Sequence, residues 1–211
     1  MVHIKHVIAF VSAAGLTGTL GGCSVAGAGS GAEDLGQTAE AISTDVCPPN
    51  VPAELTPPAG ETLKSKLLGV GVQIYMCTGN VNVTPITFAW TFVGPNANLL
   101  NDDGKLVGTH FIGPTWQGTD GSSVVAAKKA GVSVDPSALP WLRLAAVSHA
   151  ADSGRFDDVT SIQRLSTVGG NAPADGCDAT HIGSIAQVPY TADYVFYRAK
   201  EHGSVKQCGG T

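Results

Sequence analysis

The chain has 211 residues, of which 12 are Lys or Arg and 17 are Asp or Glu, so its formal net charge is −5. This balance disfavours nucleic acid as a partner, because phosphate binding needs clustered basic residues. Hydrophobic residues make up 43% and charged residues 14%, with 27 Gly and 12 Pro, a composition typical of turn-rich β structure and not of a charged helical bundle.

The N-terminus has the pattern of an export signal. Lys5 and His6 precede an apolar run at residues 7–20 that is too short to span a bilayer. The run ends in the sequence LGGC at residues 20–23, which resembles the lipobox of bacterial lipoproteins. We therefore predict that residues 1–22 are removed and that lipidated Cys23 anchors the exported protein to the bacterial cell envelope. Ser24, in place of Asp, favours the outer membrane.

Residues 23–46 are rich in Gly, Ala and Ser, with a few acids. Such a segment buries little apolar surface, so it is predicted to be a flexible tether. Folding signals begin near Pro48, and residues 47–211 are predicted to form a single β domain.

Four cysteines remain after Cys23, an even number that predicts two disulfides in an exported chain. None of them forms a C-x-x-C pair and no His has a zinc-site spacing, so no metal site is expected. We favour Cys77 with Cys177, and Cys47 with Cys208, because the ends of a domain often lie close together. The pairing of Cys47 with Cys77 and of Cys177 with Cys208 stays open.

The first clear strand pattern lies at residues 68–77. Its even-numbered positions are apolar, whereas its odd-numbered positions include Gly69, Gly71 and Gln73. This alternation predicts a half-buried strand, in which the apolar face packs inward. Gly69 and Gly71 form a G-x-G, but Ile74 stands where a dinucleotide-binding fingerprint needs its third glycine. The two glycines are instead expected to relieve crowding in the strand or to mark a bulge, and no cofactor is predicted.

Further extended segments follow at hairpin spacing. Residues 86–93 repeat the period of two, and the dipeptides Asp103-Gly104 and Asp120-Gly121 predict tight turns between strands. The remaining candidate strands are residues 105–112, 122–134, 141–149, 159–167 and 194–198. Some eight strands in all predict an all-β fold, an antiparallel sandwich or barrel.

Three segments occur in an order that resembles a known family: GVQIYMC at residues 71–77, GTHFIGPTW at 108–116 and SIQRLSTVGG at 161–170. The family is domain of unknown function 3455, and the resemblance covers about residues 53–198. It implies a secreted bacterial or fungal type of protein without an established activity. It also implies a cysteine at each of the positions of Cys77 and Cys177. Ser166 is a departure, because relatives usually carry Asn there.

The pair His110 and Trp116 is the leading candidate for ligand contact. An imidazole beside an indole can hold a sugar or another polar ligand by stacking and a hydrogen bond. The structural alternative is that His110 bonds a backbone carbonyl and that Trp116 packs in the core. The binding hypothesis places Gln163 and Tyr75 on the same face and predicts exposed aromatic surface there.

Charged side chains give weaker signals. Gln163 and Arg164 point to opposite faces of one strand, so only one of them can line a given pocket. Lys128 and Lys129 place a charge on each side of a strand, a pattern typical of a sheet edge that resists aggregation. Arg164 is a candidate ligand-binding residue, but it is rarely buried without a partner. Its predicted ion-pair partner is one of three acids: Asp157, Asp158 or Asp193.

No G-x-S-x-G elbow or other catalytic motif is found in the chain, so no catalytic residue is assigned. We predict a non-catalytic binding or structural role at the cell envelope, with a small molecule, a glycan or an envelope protein as partner. One alternative is a hydrolase or other enzyme that uses His110 as a general base, which requires a carboxylate or a second His within reach. The other alternative is a purely architectural envelope protein.

Overall fold

The computed structural model of the chain describes residues 50–200, which form an eight-stranded antiparallel barrel. Each strand pairs with the next one along the chain, and the last pairs with the first. The strands are β1 (Glu61–Asn80), β2 (Thr87–Leu100), β3 (Leu106–Phe111), β4 (Thr115–Gly118), β5 (Ser123–Val132), β6 (Trp141–Ala150), β7 (Val159–Gly169) and β8 (Ile185–Ala199). The predicted all-β fold is confirmed, and of its two architectures the barrel is the one formed. Among residues 50–200, no helix is long and apolar enough to cross a membrane.

Both predicted hairpin turns are present. Gly104 lies between β2 and β3 with φ +72°, and Gly121 lies between β4 and β5 with φ +87°. Glycine adopts this left-handed backbone region without steric strain, which explains the two Asp-Gly dipeptides. Two elements differ from the prediction. Strand β4 was not predicted at all, and β8 begins at Ile185, nine residues before the predicted start at residue 194.

A disulfide joins Cys77 in β1 to Cys177 in the connection between β7 and β8, with a Cα–Cα distance of 5.3 Å. The favoured partner of Cys77 is therefore confirmed. The same connection is fastened to β2, because the indole Nε1 of Trp90 donates to the carbonyl of Asp175 at 2.9 Å. Cys23, Cys47 and Cys208 lie outside the described residues.

The faces of β1 are the reverse of those predicted. Gln73 and Tyr75 point into the barrel and are buried, whereas the apolar residues of the other face point outward. Leu68, Val70 and Met76 remain 42%, 39% and 38% exposed. Side chains and backbone of neighbouring strands crowd part of the interior, so two of the inward positions of β1, Gly69 and Gly71, have to be small.

Gly69 shows how tight the interior is. A Cβ atom at this position would lie 2.5 Å from the ring of Tyr194, which β8 directs into the barrel. At Gly71 a Cβ would lie 2.1 Å from the backbone oxygen of Asn96. The expectation that these two glycines relieve crowding in a strand is confirmed.

A short segment covers part of the outside of the barrel. The 3₁₀ helix Ala53–Leu55 places Leu55 against Leu165, Val195 and Tyr197, which form a second, smaller apolar cluster. Gln163 belongs to this outer layer. Its Nε2 donates to the carbonyl of Leu55 at 2.7 Å, and its Oε1 accepts from the hydroxyl of Tyr197 at 2.8 Å.

Candidate binding pocket

A pocket of about 160 Å³ opens beside the turn between β3 and β4; we call it the mouth pocket. Its apolar wall consists of Phe92, Val93, Pro95, Ile112, Leu142 and Leu144. Its polar or aromatic lining consists of Gln73, His110, Trp116, Lys128, Arg164 and Tyr194. The pocket is partly open to solvent, and it reaches the core of the barrel through Trp116 and Tyr194.

Two donors of the lining residues have no partner in good hydrogen-bond geometry in the described structure: Nε2 of Gln73 and Nε1 of Trp116. The amide of Gln73 does lie near enough to the hydroxyl of Tyr190 to oppose the rise in the pKa of that phenol. Both side chains are only 1% exposed, so bulk solvent does not supply the missing hydrogen-bond partners. A buried donor without a partner destabilises a protein by about 1–3 kcal/mol. Both atoms belong to residues that line the cavity. Each atom is itself closed to water in this structure, so a ligand acceptor in the cavity would reach it only after a small movement of the side chain.

Arg164 faces the same pocket. Its Nε and Nη2 donate to the carbonyl of Pro140 at 3.2 and 2.9 Å, which fixes the guanidinium against the start of β6. Burial lowers the pKa of Arg164, but a guanidinium stays protonated in proteins. Of the two neighbours Gln163 and Arg164, it is thus Arg164 that lines the pocket.

The predicted ion pair of Arg164 is wrong, because the three candidate acids are held by other cations. Asp157 and Asp158 both bind Lys64, and Asp158 also contacts Arg198 at 3.4 Å. The third acid, Asp193, pairs with Lys66 at 3.1 Å. Within residues 50–200 no carboxylate forms a salt bridge with Arg164.

Phenol groups surround Arg164 instead of carboxylates. Tyr75, Tyr190 and Tyr194 lie close enough to interact with its charge. Burial raises the pKa of all three phenols, so they are neutral at physiological pH and do not neutralise the guanidinium. Tyr190 and Tyr194 are hydrogen-bonded to each other, with their oxygens 3.1 Å apart.

Lys128 adds a second positive charge at the opening of the pocket. The barrel is closed over the described residues, but β5 pairs with β4 only as far as Val125. Lys128 therefore lies on a stretch of β5 that has a partner strand, β6, on one side only, as the edge interpretation expects. None of the described residues that line the pocket is Asp or Glu. The mouth pocket is therefore a positive site in an acidic chain.

His110 lies flat against Trp116, with ring centroids 4.2 Å apart and an interplanar angle of 10°. Its Nδ1 is 2.8 Å from the carbonyl oxygen of Thr115, and since a carbonyl only accepts, Nδ1 carries the proton. Burial, with a smaller contribution from the charge of Arg164, lowers the pKa of His110 to about 3, although the hydrogen bond to the backbone of Thr115 opposes this shift. His110 is therefore neutral at physiological pH.

The structural alternatives for this pair are confirmed. His110 bonds a backbone carbonyl, and Trp116 is part of the core. The expectation of exposed aromatic surface is wrong, because the two residues are 4% and 1% exposed. Their rings form an inner wall of the pocket, where each is backed edge-on by Tyr194.

The structure thus brings three of the five candidate residues, His110, Trp116 and Arg164, to one cavity. Tyr75 lies near Arg164 but does not line the cavity, and its hydroxyl donates to the carbonyl of Gly170 at 2.6 Å. Gln163 lies in the outer layer and does not line the pocket, although its neighbour Arg164 does. The sequence pattern did not identify Gln73 as a site residue. Gln73 alternates with the glycines of β1, so it would have been placed inside the barrel if the face that carries the glycines had been assigned inward.

The described lining has the means to bind a ligand but lacks an evident catalytic group. No carboxylate or second His is hydrogen-bonded to His110 within residues 50–200. Nor do the described residues contain a group of three metal-ligating side chains. What remains is a set of fixed donors and positive charges beside an apolar wall.

Residues 58–198 match the family described as "Protein of unknown function (DUF3455)", and the chain belongs to this family. The match contains the whole of the pocket lining, from Gln73 to Tyr194. No curated protein and no solved structure matches the chain. The family description carries no activity, so a function has to be argued from the pocket itself.

Proposed function

We propose that this domain is a binding module that holds a small molecule in the mouth pocket. The observation that carries the proposal is the pair of unpartnered donors, Gln73 Nε2 and Trp116 Nε1, on the wall of a 160 Å³ cavity. Buried donors are nearly always paired in folded proteins, and exceptions call for an explanation. A ligand oxygen that accepts from one of them accounts for their presence.

The state of His110 favours binding over general-base catalysis. A general base works best when its pKa lies near the operating pH. Burial holds the pKa of His110 at about 3, so the imidazole is a poor proton acceptor at neutral pH. Its stacking on Trp116 suits a rigid wall that positions a ligand.

A nitrogen–proton correlation NMR spectrum of the full chain tests the proposal. The chain has three tryptophans, so three indole signals are expected, and Trp116→Phe identifies the one that matters. Neutral, cationic and anionic fragments of up to about ten heavy atoms are titrated, a size suited to a pocket that holds a single ring. A binder should shift the Trp116 signal and leave that of Trp90 unchanged, because Trp90 already donates to Asp175 outside the pocket.

A pair of surface variants provides the control. Ile112 is 60% exposed at the rim of the pocket, whereas Val147 is 66% exposed and not part of its lining. Ile112→Trp should weaken fragment binding, and Val147→Trp should not. If no fragment of any charge shifts the Trp116 signal, the binding function is refuted, and an architectural role becomes the better explanation.

We further propose that the binding module is exported and held at the cell envelope through lipid on Cys23, with residues 23–46 as its tether and residues 47–211 as one domain. The support is the LGGC sequence after a short apolar run. Labelling of cells with a fatty-acid analogue should tag the full precursor and fail to tag the Cys23→Ser variant. Equal labelling of both would refute the anchor.

A further inference from the structure

We infer that the ligand of the mouth pocket is a small apolar molecule, about the size of one ring, that carries a single carboxylate. This inference rests on the proposed binding function and adds the chemical class of the ligand. It is drawn from three features of the pocket: its charge, its unpartnered donors and its apolar wall.

The charge of the pocket requires an anion. Arg164 and Lys128 both line it, and neither forms a salt bridge with a carboxylate among residues 50–200. Lys128 is exposed and is solvated, whereas Arg164 is only partly exposed, and a charged group that is largely removed from water is normally paired. The three acids that could have served Arg164 are used elsewhere, and the surrounding phenols are neutral. A ligand anion would complete the pair.

The donors point to a carboxylate. Pro140 accepts from two nitrogens of Arg164, Nε and Nη2, so part of the guanidinium is left to bind elsewhere. Tyr194 also interacts with the guanidinium through a side-chain hydrogen bond. Arg164, Gln73 and Trp116 are thus three N–H-bearing residues in the lining of one cavity, and the last two have donors without a partner. A carboxylate has two oxygens with about four acceptor positions, which suits such a set. A phosphate dianion would bring a second charge, whereas Arg164 is the one cation in the inner part of the described lining.

The rest of the lining is apolar. Phe92, Pro95, Ile112, Leu142 and Leu144 supply the apolar part of the lining. A cavity of about 150 Å³ lined by aliphatic residues is large enough for benzene, and the mouth pocket is of similar volume. Stacked His110 and Trp116 offer a flat surface on the side of the donors. A ring that bears a carboxylate therefore suits both the N–H donors and the apolar part of the lining.

Three probes of nearly equal shape test the inference: benzoate, benzamide and benzamidinium. They are titrated into the full chain at fixed ionic strength, and the shift of the Trp116 indole signal gives each dissociation constant. Benzoate should bind at least about tenfold more tightly than benzamide, since hydrogen bonds to a charged pair are roughly twice as strong as neutral ones. Benzamidinium should not bind.

Variants at two arginines locate the effect. Arg164→Met should weaken benzoate binding by about tenfold or more and leave benzamide binding nearly unchanged. Arg143→Met is the matched control, because Arg143 lies on the adjacent strand, contacts the carbonyl of Glu54 at 3.4 Å and does not line the pocket. If Arg164→Met does not fold, Arg164→Lys preserves the charge and should retain part of the preference for benzoate.

The outcomes separate the two proposals. If benzamide binds as tightly as benzoate and both shift the Trp116 signal, the binding function stands and the carboxylate is refuted. The carboxylate is also refuted if inorganic phosphate displaces the probes as well as benzoate does. If none of the three probes binds, this inference fails, and the wider set of fragments decides the binding function.

Discussion

Two buried glutamines of this barrel should respond in opposite ways to the same substitution. Gln73 is 1% exposed and has an Nε2 without a partner. Gln163 is 2% exposed, and both ends of its amide are hydrogen-bonded. Methionine has nearly the volume of glutamine and lacks its polar atoms, so Gln→Met removes hydrogen bonding and leaves little cavity.

The free energy of unfolding should rise for Gln73→Met and fall for Gln163→Met. Removing an unpartnered buried donor should raise the free energy of unfolding by about 1–3 kcal/mol. For a domain of this size, each kcal/mol corresponds to a rise of roughly 2–4 °C in Tm. The nearby hydroxyl of Tyr190 keeps Tyr194 as its partner. Gln163→Met leaves the carbonyl of Leu55 and the hydroxyl of Tyr197 unpaired, at about 1–3 kcal/mol for each.

Urea unfolding of the full chain without ligand measures both changes, and an unchanged slope shows that the same transition is compared. Gln73→Met should also weaken fragment binding, a trade of stability against function that is common at binding sites. If Gln73→Met lowers the free energy of unfolding by about 1 kcal/mol or more, the amide of Gln73 is hydrogen-bonded in the ligand-free protein. Its Nε2 then needs no ligand acceptor, which would contradict the proposal.

Three further predictions concern His110, Ser166 and the disulfide. The pKa of His110 is about 3 in the folded protein and about 6.5 in the unfolded chain. Between these two pH values only the unfolded chain binds the extra proton, so acidification favours unfolding. The contribution of His110 to the free energy of unfolding is fully present above about pH 6.5 and should fall by about 1.4 kcal/mol per pH unit below it. His110→Gln should flatten that slope in urea unfolding between pH 4.5 and 6.5, while an unchanged slope would contradict the burial of the imidazole. Ser166 is exposed with φ +50°, a region that Asn tolerates better, so Ser166→Asn should raise the free energy of unfolding by about 0.5–1 kcal/mol, and a loss would argue against this backbone conformation. Cys77 and Cys177 are 100 residues apart, so replacing both with Ala should lower stability by about 4 kcal/mol in the same assay; a loss below 1 kcal/mol would mean that the cross-link constrains the unfolded chain very little.

The sequence predicted the elements of this fold better than their orientation. Alternation and the Asp-Gly turns reveal strands and hairpins because both are local properties of the chain. The inward face of β1 is not local, since it depends on which strands supply the large side chains. The ring of Tyr194 occupies the interior beside Gly69. The buried face of β1 is therefore the one that carries the glycines and polar residues, although it is the less hydrophobic of the two faces.

The two missed strand assignments have similar causes. Strand β4 has four residues, too few for a recognisable alternation. The first half of β8 contains Pro189, a residue that argues against a strand in sequence reasoning. It is tolerated because β7 pairs with β8 only from Tyr190 onward, so β8 has a single partner strand, β1, at Pro189.

The pocket could be predicted only in part. His110 and Trp116 are six residues apart in the sequence and are paired across a single hairpin, so their contact could be predicted. The role of Arg164 was not, because it depends on where Asp157, Asp158 and Asp193 find their partners. Those ion pairs join residues that are far apart in the chain, and no local pattern predicts them.

A crystal structure of the full chain grown with benzoate tests the central claim most directly. The account predicts a carboxylate in the mouth pocket, with one oxygen about 2.7–3.2 Å from a guanidinium nitrogen of Arg164. A second contact should satisfy Gln73 Nε2 or Trp116 Nε1, with the ring against Leu142 and Leu144. Benzoate bound only elsewhere on the protein, with Arg164 paired to a carboxylate of the chain itself, would contradict it.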